Sequence, residues 1–261
     1  MFFSKLRRRE GRSEKRPVAT PRIPHGVRAY AIGDVHGRDD LLCDLLAKIR
    51  LDIAHRPFAK NHIVMLGDLI DRGPDSRGVI ERLRRFAEHG CELHIVAGNH
   101  EEVLLRLLEG EYGILSSWLK FGGSETLESY GVNSGELSVA DEVHGLRLIQ
   151  SVIPANHQAF FRSLDDTIRI GDYLFVHAGI RPRVGLVEQV QSDLRWIRKP
   201  FLDDDSDHGF VVIHGHTISD EVVERPNRIG IDTGAYATGR LTALALEGET
   251  RWFLEAKGLP G

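Results

Sequence analysis

The sequence predicts an α/β protein in which two mixed β-sheets pack together with helices outside them. Three strand–loop–helix units follow one another before residue 111, and three further strand candidates follow residue 171. The early strands are continuous apolar runs, which is typical of strands that are buried on both faces. Each is followed by an apolar period of helical type, so a βαβαβ arrangement with right-handed crossovers is expected.

The three early units share one layout, in which a strand ends in a glycine-flanked polar loop that leads into a helix. The strands are predicted at residues 27–33, 62–67 and 91–98, the loops are GDVHG, GDLIDRG and GNHE, and the helices lie at 39–54, around 76–90 and at 101–110. Glycines beside each loop permit sharp turns and a close approach of the backbone to a ligand.

The second half of the chain is less regular. Residues 111–165 are rich in glycine and serine with isolated aromatic residues, and only 153–164 has the pattern of a short helix, with Pro154 near its start. Strands are expected at 172–179 and 210–217. Residues 228–255 then predict a strand, a loop and an antiparallel hairpin that turns at Gly248. We expect a single domain made of two unequal halves.

Charge is distributed unevenly along the chain. Residues 1–24 carry eight Lys and Arg side chains against two Glu, whereas the whole chain of 261 residues has a net charge of −4. The amino-terminal segment has no apolar period, so we predict a disordered basic tail at 1–24 and a folded catalytic domain at 25–261. The acidic body argues against a nucleic-acid-binding surface and favours cation sites.

Several observations bear on the cellular compartment. The two cysteines, Cys43 and Cys91, cannot form a disulfide framework, which favours a reducing compartment. The basic start is not followed by the apolar segment of a signal peptide. Apolar runs of membrane-spanning length are also absent from the sequence. We therefore expect a cytoplasmic protein without stable membrane insertion.

Polar residues with metal-binding side chains follow each of the five main strand candidates. They are Asp34 and His36, Asp68, Asn99 and His100, His177, and His214 and His216. The carboxyl ends of strands are where ligands bind in open α/β sheets, so these side chains are expected to converge. Carboxylate, imidazole and amide oxygen ligands without thiolate suit Mn²⁺, Fe²⁺ or Zn²⁺ better than a closed structural zinc site. A shared carboxylate could bridge two ions roughly 3.5–4 Å apart, as in two-metal hydrolytic sites.

Five short motifs carry a resemblance to a known family. GDVHG (33–37), GDLIDRG (67–73), GNHE (98–101), HAG (177–179) and GHT (215–217) are similar to the signature of the phosphoprotein phosphatase family. That family is part of the calcineurin-like metallophosphoesterases. WLKFGG (118–123), WIR (196–198) and IDTGA (231–235) resemble its short bacterial and phage-type members. The resemblance implies a four-layer sandwich with two divalent metal ions at one end and Mn²⁺ as the preferred metal.

The resemblance also implies a role for each motif residue. Asp34 and His36 would bind the first metal and Asp68 would bridge both, while Asn99, His177 and His216 would bind the second. His100 would be the general acid, oriented by Asp71. Arg72 and Arg198 would hold the phosphoryl oxygens. A hydroxide that bridges the metals would attack in line, without a covalent phosphoenzyme.

Other residues have weaker patterns. Arg195 and Arg181 compete with Arg198 for the second phosphate contact. We interpret His214 as a strand-end residue rather than a ligand, and Tyr236 as a residue of the rim, the core or the open surface. The remaining histidines match no motif; they are His25, His55, His62, His89, His94, His144, His157 and His208.

The implied activity is hydrolysis of phosphomonoesters on serine or threonine of proteins, or on tyrosine. The alternative is hydrolysis of dinucleoside polyphosphates such as diadenosine tetraphosphate, for which the well-known bacterial enzyme has Gln in place of His36. A non-catalytic scaffold is disfavoured, because every motif residue is intact. The partners expected are a phosphoprotein or a small phosphoester. Specificity is expected to come from residues 102–176 and from the acidic loop at 199–209.

Overall fold

Two five-stranded sheets form the centre of the molecule. The computed structural model describes residues 20–87, 90–133 and 141–261. The strands of the first sheet, in spatial order, are β10 (Thr250–Lys257), β9 (Arg240–Glu247), β1 (Val27–Ile32), β2 (Lys60–Met65) and β3 (Cys91–Ile95). Those of the second sheet are β4 (Thr167–Ile170), β5 (Tyr173–Val176), β6 (Val211–His214), β8 (Arg228–Gly230) and β7 (Val223–Glu224).

Both sheets are mixed, as the sequence predicts. In the first sheet β1, β2 and β3 are parallel, and β9 pairs with β1 and β10 in antiparallel fashion. In the second sheet β5, β6 and β8 are parallel, with antiparallel β4 and β7 at the two edges. The parallel strands of each sheet end at one edge, and the motif loops follow those ends.

The helices lie outside the paired sheets. They are α1 (Asp39–Ala54), α2 (Ser76–Arg84), α3 (Asn99–Leu108), α4 (Leu115–Trp118), α5 (Ser124–Ser129), α6 (Glu142–Val152), α7 (Ala155–Arg162), α8 (Gln191–Trp196) and α9 (Ala235–Thr238). Strand alternation assigns successive side chains to different layers. Tyr30 and Ile32 pack against the helices, whereas Ala29 and Ala31 face the second sheet. The opposite face of that sheet is covered by Leu194, Ile197 and Phe201.

The predicted architecture of two mixed sheets with helices outside is confirmed. The early strand–loop–helix units and the hairpin around Gly248 form as expected. Helix α3, however, begins at Asn99, two residues before the predicted start, so Asn99 and His100 belong to its first turn. The sequence analysis also missed helices between residues 111 and 152 and the short edge strands β4 and β7.

The predicted disordered tail falls largely outside the described residues. Residues 1–19 are not described, so disorder there stays a prediction. Residues 20–24 are described, and Ile23 is 1% exposed within the core between the sheets. Its backbone N–H donates a hydrogen bond of 2.9 Å to the carbonyl of Gly248. The packed part of the chain therefore begins before residue 25. Among the described helices, none has the length and apolar character needed to cross a membrane.

Candidate dinuclear metal centre

The five motif loops meet at the carboxyl ends of the parallel strands. The six predicted metal ligands are all buried there, each with at most 8% of its surface exposed: Asp34, His36, Asp68, Asn99, His177 and His216. Several of these loops use a left-handed backbone at residues that have a Cβ, which is uncommon and concentrates at functional sites. The site residues with positive φ are His36, Asp68, Asp71, Arg72 and His216.

Asp68 lies between the two halves of the site. Its Oδ2 is 3.4 Å from Nε2 of His36, and its Oδ1 is 3.4 Å from Nε2 of His177. At this centre two groups of side chains have ligand atoms close enough to surround an ion, and Asp68 belongs to both. They are His36, Asp68 and His100, and Asp68, His177 and His216. One oxygen of the same carboxylate thus faces each group. This is the arrangement that a bridging ligand requires.

The imidazoles present acceptor nitrogens to the centre. Nδ1 of His36 donates to the carbonyl of Ile70 at 2.8 Å, and Nδ1 of His177 donates to the carbonyl of Leu66 at 2.7 Å. Burial lowers the pKa of both histidines, so both rings are neutral and their Nε2 atoms carry lone pairs. A backbone acceptor that fixes the ring in this way is usual behind a metal-bound histidine.

Four buried side-chain polar atoms lack a hydrogen-bond partner within the described part of the chain, and two of the four belong to predicted metal ligands. These two are Oδ1 of Asp34 and Nε2 of His216. The other oxygen of Asp34 accepts from the backbone N–H of His216 at 3.0 Å. Asn99 Oδ1 lies 2.9 Å from ring nitrogens of both His177 and His216. Because an unpartnered buried polar atom is costly, these atoms fit a site that completes its bonding with cations.

The charge of the site also fits divalent metal ions. Burial, together with Asp232 and Asp68, raises the pKa of Asp34 well above its ordinary value. Burial raises the pKa of Asp232 to about 6, and Asp68 adds to that effect. Burial alone would raise the pKa of Asp68 too, but His177, His100 and His36 bring it below its ordinary range. Three buried carboxylates this close together are mutually repulsive, and cations relieve the repulsion.

His100 has different partners from the predicted ligands. Its Nδ1 donates to Oδ2 of Asp71 at 2.6 Å. Trp118 donates to the same oxygen at 3.0 Å, and Thr126 donates to the other oxygen of Asp71 at 2.6 Å. Burial lowers the pKa of His100, but Asp68 and Asp71 outweigh that effect and raise it to about 8. The ring is therefore held by a fixed carboxylate, and its raised pKa favours the protonated form.

The structure distinguishes the three arginines that the sequence offered for the second phosphate contact. Arg181 is paired with Asp193, and Arg195 is paired with Asp166, in both cases with nitrogen–oxygen distances of 2.6–2.7 Å. The guanidinium of Arg198 makes no hydrogen bond or ion pair with any described residue, and it lines the cavity beside the centre. Arg72 lies inside the centre. It donates to Nε2 of His36 at 2.9 Å, and its other terminal nitrogen lies 3.1 Å from Nε2 of His100.

A cavity of about 420 Å³ opens from the centre to the surface. Both polar and apolar side chains line it. Its lining consists of Asp68, Arg72, Asn99, His100, Val103, Arg106, Ile114, Ser117, Trp118, Phe121, Trp196, Arg198 and His216. Phe121 is 64% exposed and Trp196 is 40% exposed, so both stand at the rim. Tyr236 lies beside the centre, where its ring contacts His36 edge-on at 5.3 Å and lies 4.8 Å from the Arg72 guanidinium.

Two site residues escaped the sequence analysis, although both lie within or beside motifs that it quoted. Glu101 is fully buried and accepts from the backbone N–H groups of Asp68, Leu69 and Gly98 at 2.8 Å each. It therefore fixes the loop that carries Asp68. Asp232 adds a third carboxylate beside Asp34. His214, by contrast, ends β6 and packs edge-on against Phe201, consistent with a strand-end residue.

Glycine is required where the loops approach one another closely. A Cβ on Gly98 would lie 2.2 Å from Oδ1 of Asp68 and 2.4 Å from its backbone nitrogen. A Cβ on Gly122 would lie 2.4 Å from the backbone nitrogen of Arg72, and Gly122 has a φ of +111°. Since Gly122 interrupts the helical run between α4 and α5, it allows the loop of Arg72 to pass over that run.

Comparisons with known proteins agree with this geometry. Serine/threonine-protein phosphatase 1 of Salmonella typhimurium is 28% identical over 218 residues, which cover 84% of this chain and 91% of that protein. A symmetrical bis(5'-nucleosyl)-tetraphosphatase of Methylobacillus flagellatus is 26% identical and covers 84% of this chain and 92% of that protein. A crystal structure provisionally identified as a diadenosine tetraphosphatase has the same fold, with a TM-score of 0.63, 21% identity, and coverage of 90% and 100%.

The family model for calcineurin-like phosphoesterases matches residues 27–243, a span that contains all five motif loops. Relatives that share most of its length are hydrolases of phosphate esters. The chain therefore belongs to the calcineurin-like phosphoesterase family.

Proposed function

We propose that the protein hydrolyses phosphomonoesters of serine and threonine in proteins. The observation that carries the proposal is the His100–Asp71 pair, whose 2.6 Å hydrogen bond holds a proton donor beside Asp68 at the floor of the cavity. Serine and threonine leave as alkoxides, which are very poor leaving groups unless they are protonated as they depart. A buried imidazolium is suited to supply that proton.

Each part of the centre has a task in this reaction. Asp34, His36, Asp68, Asn99, His177 and His216 would hold two divalent metal ions, for which we propose Mn²⁺. Bound there, the ions would supply a water nucleophile that is ionised near neutral pH and would neutralise charge on the phosphoryl group. Arg72 and Arg198 would bind the phosphoryl oxygens, since guanidinium groups match them geometrically. His100 would donate the proton on Nε2 to the departing oxygen while Asp71 retains its hydrogen bond to Nδ1.

Dinucleoside polyphosphate hydrolysis is the second candidate, and the aromatic residues that line the cavity favour it. Phe121 and Trp196 are exposed at the rim, where an aromatic base could stack. A nucleoside diphosphate also leaves more readily than an alkoxide, so this reaction depends less on His100. The similarity to a bis(5'-nucleosyl)-tetraphosphatase is consistent with it.

The two candidates can be separated by one set of assays. We would measure kcat/KM of the Mn²⁺-loaded enzyme on phosphoserine and phosphothreonine peptides and on diadenosine tetraphosphate. The same values would be measured for Phe121→Ala, with Phe58→Ala as the matched control, because Phe58 is fully exposed and lies outside the cavity. The proposal expects higher kcat/KM on the peptides. A higher value on diadenosine tetraphosphate that falls only in Phe121→Ala would establish the second candidate instead.

A further inference from the structure

A separate group of potential metal ligands lies within the first sheet, on strands β2 and β3. It consists of His62 on β2 and of Glu92 and His94 on β3. In the parallel register His62 lies opposite Glu92, and His94 follows two residues later on the same face. His62 and Glu92 lie near the amino ends of their strands and His94 is the penultimate residue of β3, whereas Asp68 and Asn99 follow the carboxyl ends. The group shares no residue with the ligand groups of the dinuclear centre. It is therefore a separate site.

The ligand atoms of this group have spacings close to those of a metal site. Nδ1 of His62 and Nε2 of His94 are 2.9 Å apart. The carboxylate oxygens of Glu92 are 3.9 Å from the former nitrogen and 3.7 Å from the latter. In a tetrahedral zinc site with bonds of roughly 2.0–2.2 Å, neighbouring ligand atoms are about 3.4 Å apart. The observed separations lie on either side of that value, so small side-chain rotations would complete the geometry.

A cation could replace the contacts that these three side chains make at present. The two imidazoles stack at an interplanar angle of 17° and share one hydrogen bond, which requires only that one ring nitrogen bear the proton. Glu92 is paired with Lys60 at 2.7 Å, but the side chains are 48% and 63% exposed, and such surface pairs contribute little stability. Burial, with His94 and Lys60 adding to it, lowers the pKa of His62. A neutral ring is the form that binds metal.

We propose that His62, Glu92 and His94 bind one zinc ion, with water in the fourth position. Two imidazoles and one carboxylate form a zinc-type donor set, and the partial exposure of Glu92 and His94 leaves a path from solvent. The ion would join β2 to β3, which is the edge strand of the first sheet. Binding to the folded state alone would raise the melting temperature. The site would be structural and would not take part in phosphoester hydrolysis.

Zinc stoichiometry tests the proposal. Full-length protein would be stripped of metal, dialysed to equilibrium against buffered micromolar zinc, and analysed for zinc per chain. His94→Gln and Glu92→Gln should each retain one zinc fewer than the unmodified protein. His144→Gln should match the unmodified protein, because His144 is an exposed histidine outside both groups. Turnover of p-nitrophenyl phosphate with Mn²⁺ should be the same for all four proteins.

The same substitutions in an Asp68→Asn background distinguish this site from the catalytic centre. There the catalytic ions are weakened, and His94→Gln should remove a zinc ion that Asp68→Asn leaves in place. Equal zinc contents with and without the Glu92 and His94 substitutions would overturn the proposal. If His94→Gln does not fold, Glu92→Gln decides the matter, because the half-exposed Glu92 can be changed without disturbing the core.

Discussion

Nη1 of Arg72 donates a hydrogen bond of 2.9 Å to Nε2 of His36. The family motif assigns His36 to a metal ion, which would need the lone pair of this same nitrogen. The same guanidinium also lies 3.1 Å from Nε2 of His100. It places a positive charge among buried carboxylates and imidazoles, where a metal ion would otherwise be the cation. Since one lone pair cannot serve both, metal binding at His36 requires Arg72 to release that atom and become available to a phosphoryl group.

This competition predicts opposite effects of one substitution on metal and on substrate. In Arg72→Met the first metal should bind at least as tightly as in the unmodified protein, because the competing cation is gone. At the same time kcat/KM should fall roughly ten- to a hundredfold, the usual range for losing a hydrogen bond to a charged group. Calorimetric titration with Mn²⁺ and steady-state assays measure the two effects. Loss of metal from Arg72→Met would instead make Arg72 part of the support for the ligands.

His100 should act on the leaving group and not on the metal. His100→Asn is expected to keep its metal content and to lose about 10²–10⁴ in kcat on phosphoserine, the usual contribution of general acid catalysis. The loss should be smaller on p-nitrophenyl phosphate, whose leaving group departs readily without a proton. In the unmodified enzyme, turnover of phosphoserine should fall as the pH rises through the pKa of His100, because the deprotonated ring has no proton to give.

Asp68→Asn is the matched comparison for His100→Asn. Because Asp68 faces both ligand groups, this change should reduce metal content and should slow both substrates by the same factor. Metal analysis and kcat for the two variants on the two substrates complete the comparison. The acid role would be contradicted if His100→Asn lowered kcat by the same factor on both substrates, or if this variant bound less metal.

Chelation should abolish phosphoesterase activity, because the unpartnered atoms of Asp34 and His216 leave the centre incomplete without cations. Mn²⁺ should restore activity to the stripped protein, and Mg²⁺ should restore less, since imidazole ligands favour transition metals. Elemental analysis of the stripped protein is the necessary control. Full turnover by protein shown to be free of metal would refute the two-metal proposal.

Acid should destabilise the metal-free protein partly through His214. Burial lowers the pKa of this histidine from 6.5 to about 4, so below pH 6.5 the unfolded chain binds more protons than the folded one. The neutral buried ring therefore contributes about 3 kcal/mol to the free energy of unfolding. This contribution is fully present above pH 6.5 and is lost as the pH falls toward 4. Urea unfolding in chelator across this range should show a smaller loss for His214→Gln. Parallel curves for the two proteins would show that His214 does not titrate on unfolding.

The sequence was sufficient for the parallel strands, for the hairpin and for the motif residues that follow the parallel strands, because these features are local in the chain. It was insufficient where partners are distant in the chain. Only the pairing of Arg195 with Asp166, and of Arg181 with Asp193, separates those arginines from Arg198. Glu101 shows the same limit, since its carboxylate accepts from backbone N–H groups of another loop, and these donors carry no sequence signal.

The helices at 111–152 were missed for a related reason. Glycine-rich stretches have low helix propensity, and tertiary packing overrides that preference here. Trp118 is buried and bonded to Asp71, which ties the run to the centre, and Gly122 is retained because the loop of Arg72 lies against it. Gly122, which lowers the helix propensity of the run between α4 and α5, is therefore also the residue that allows this run to contact the site.

The left-handed backbone conformations at the centre lower the stability of the folded chain while they position the residues needed for activity. Each such conformation costs roughly 1–2 kcal/mol at a residue with a Cβ, and glycine or asparagine would relieve it. Selection for the stability of the metal-free chain alone would replace these residues and erase the catalytic centre. Thermostabilised variants drawn from a random library should accordingly be enriched in inactive proteins altered at the five strained positions, which are His36, Asp68, Asp71, Arg72 and His216.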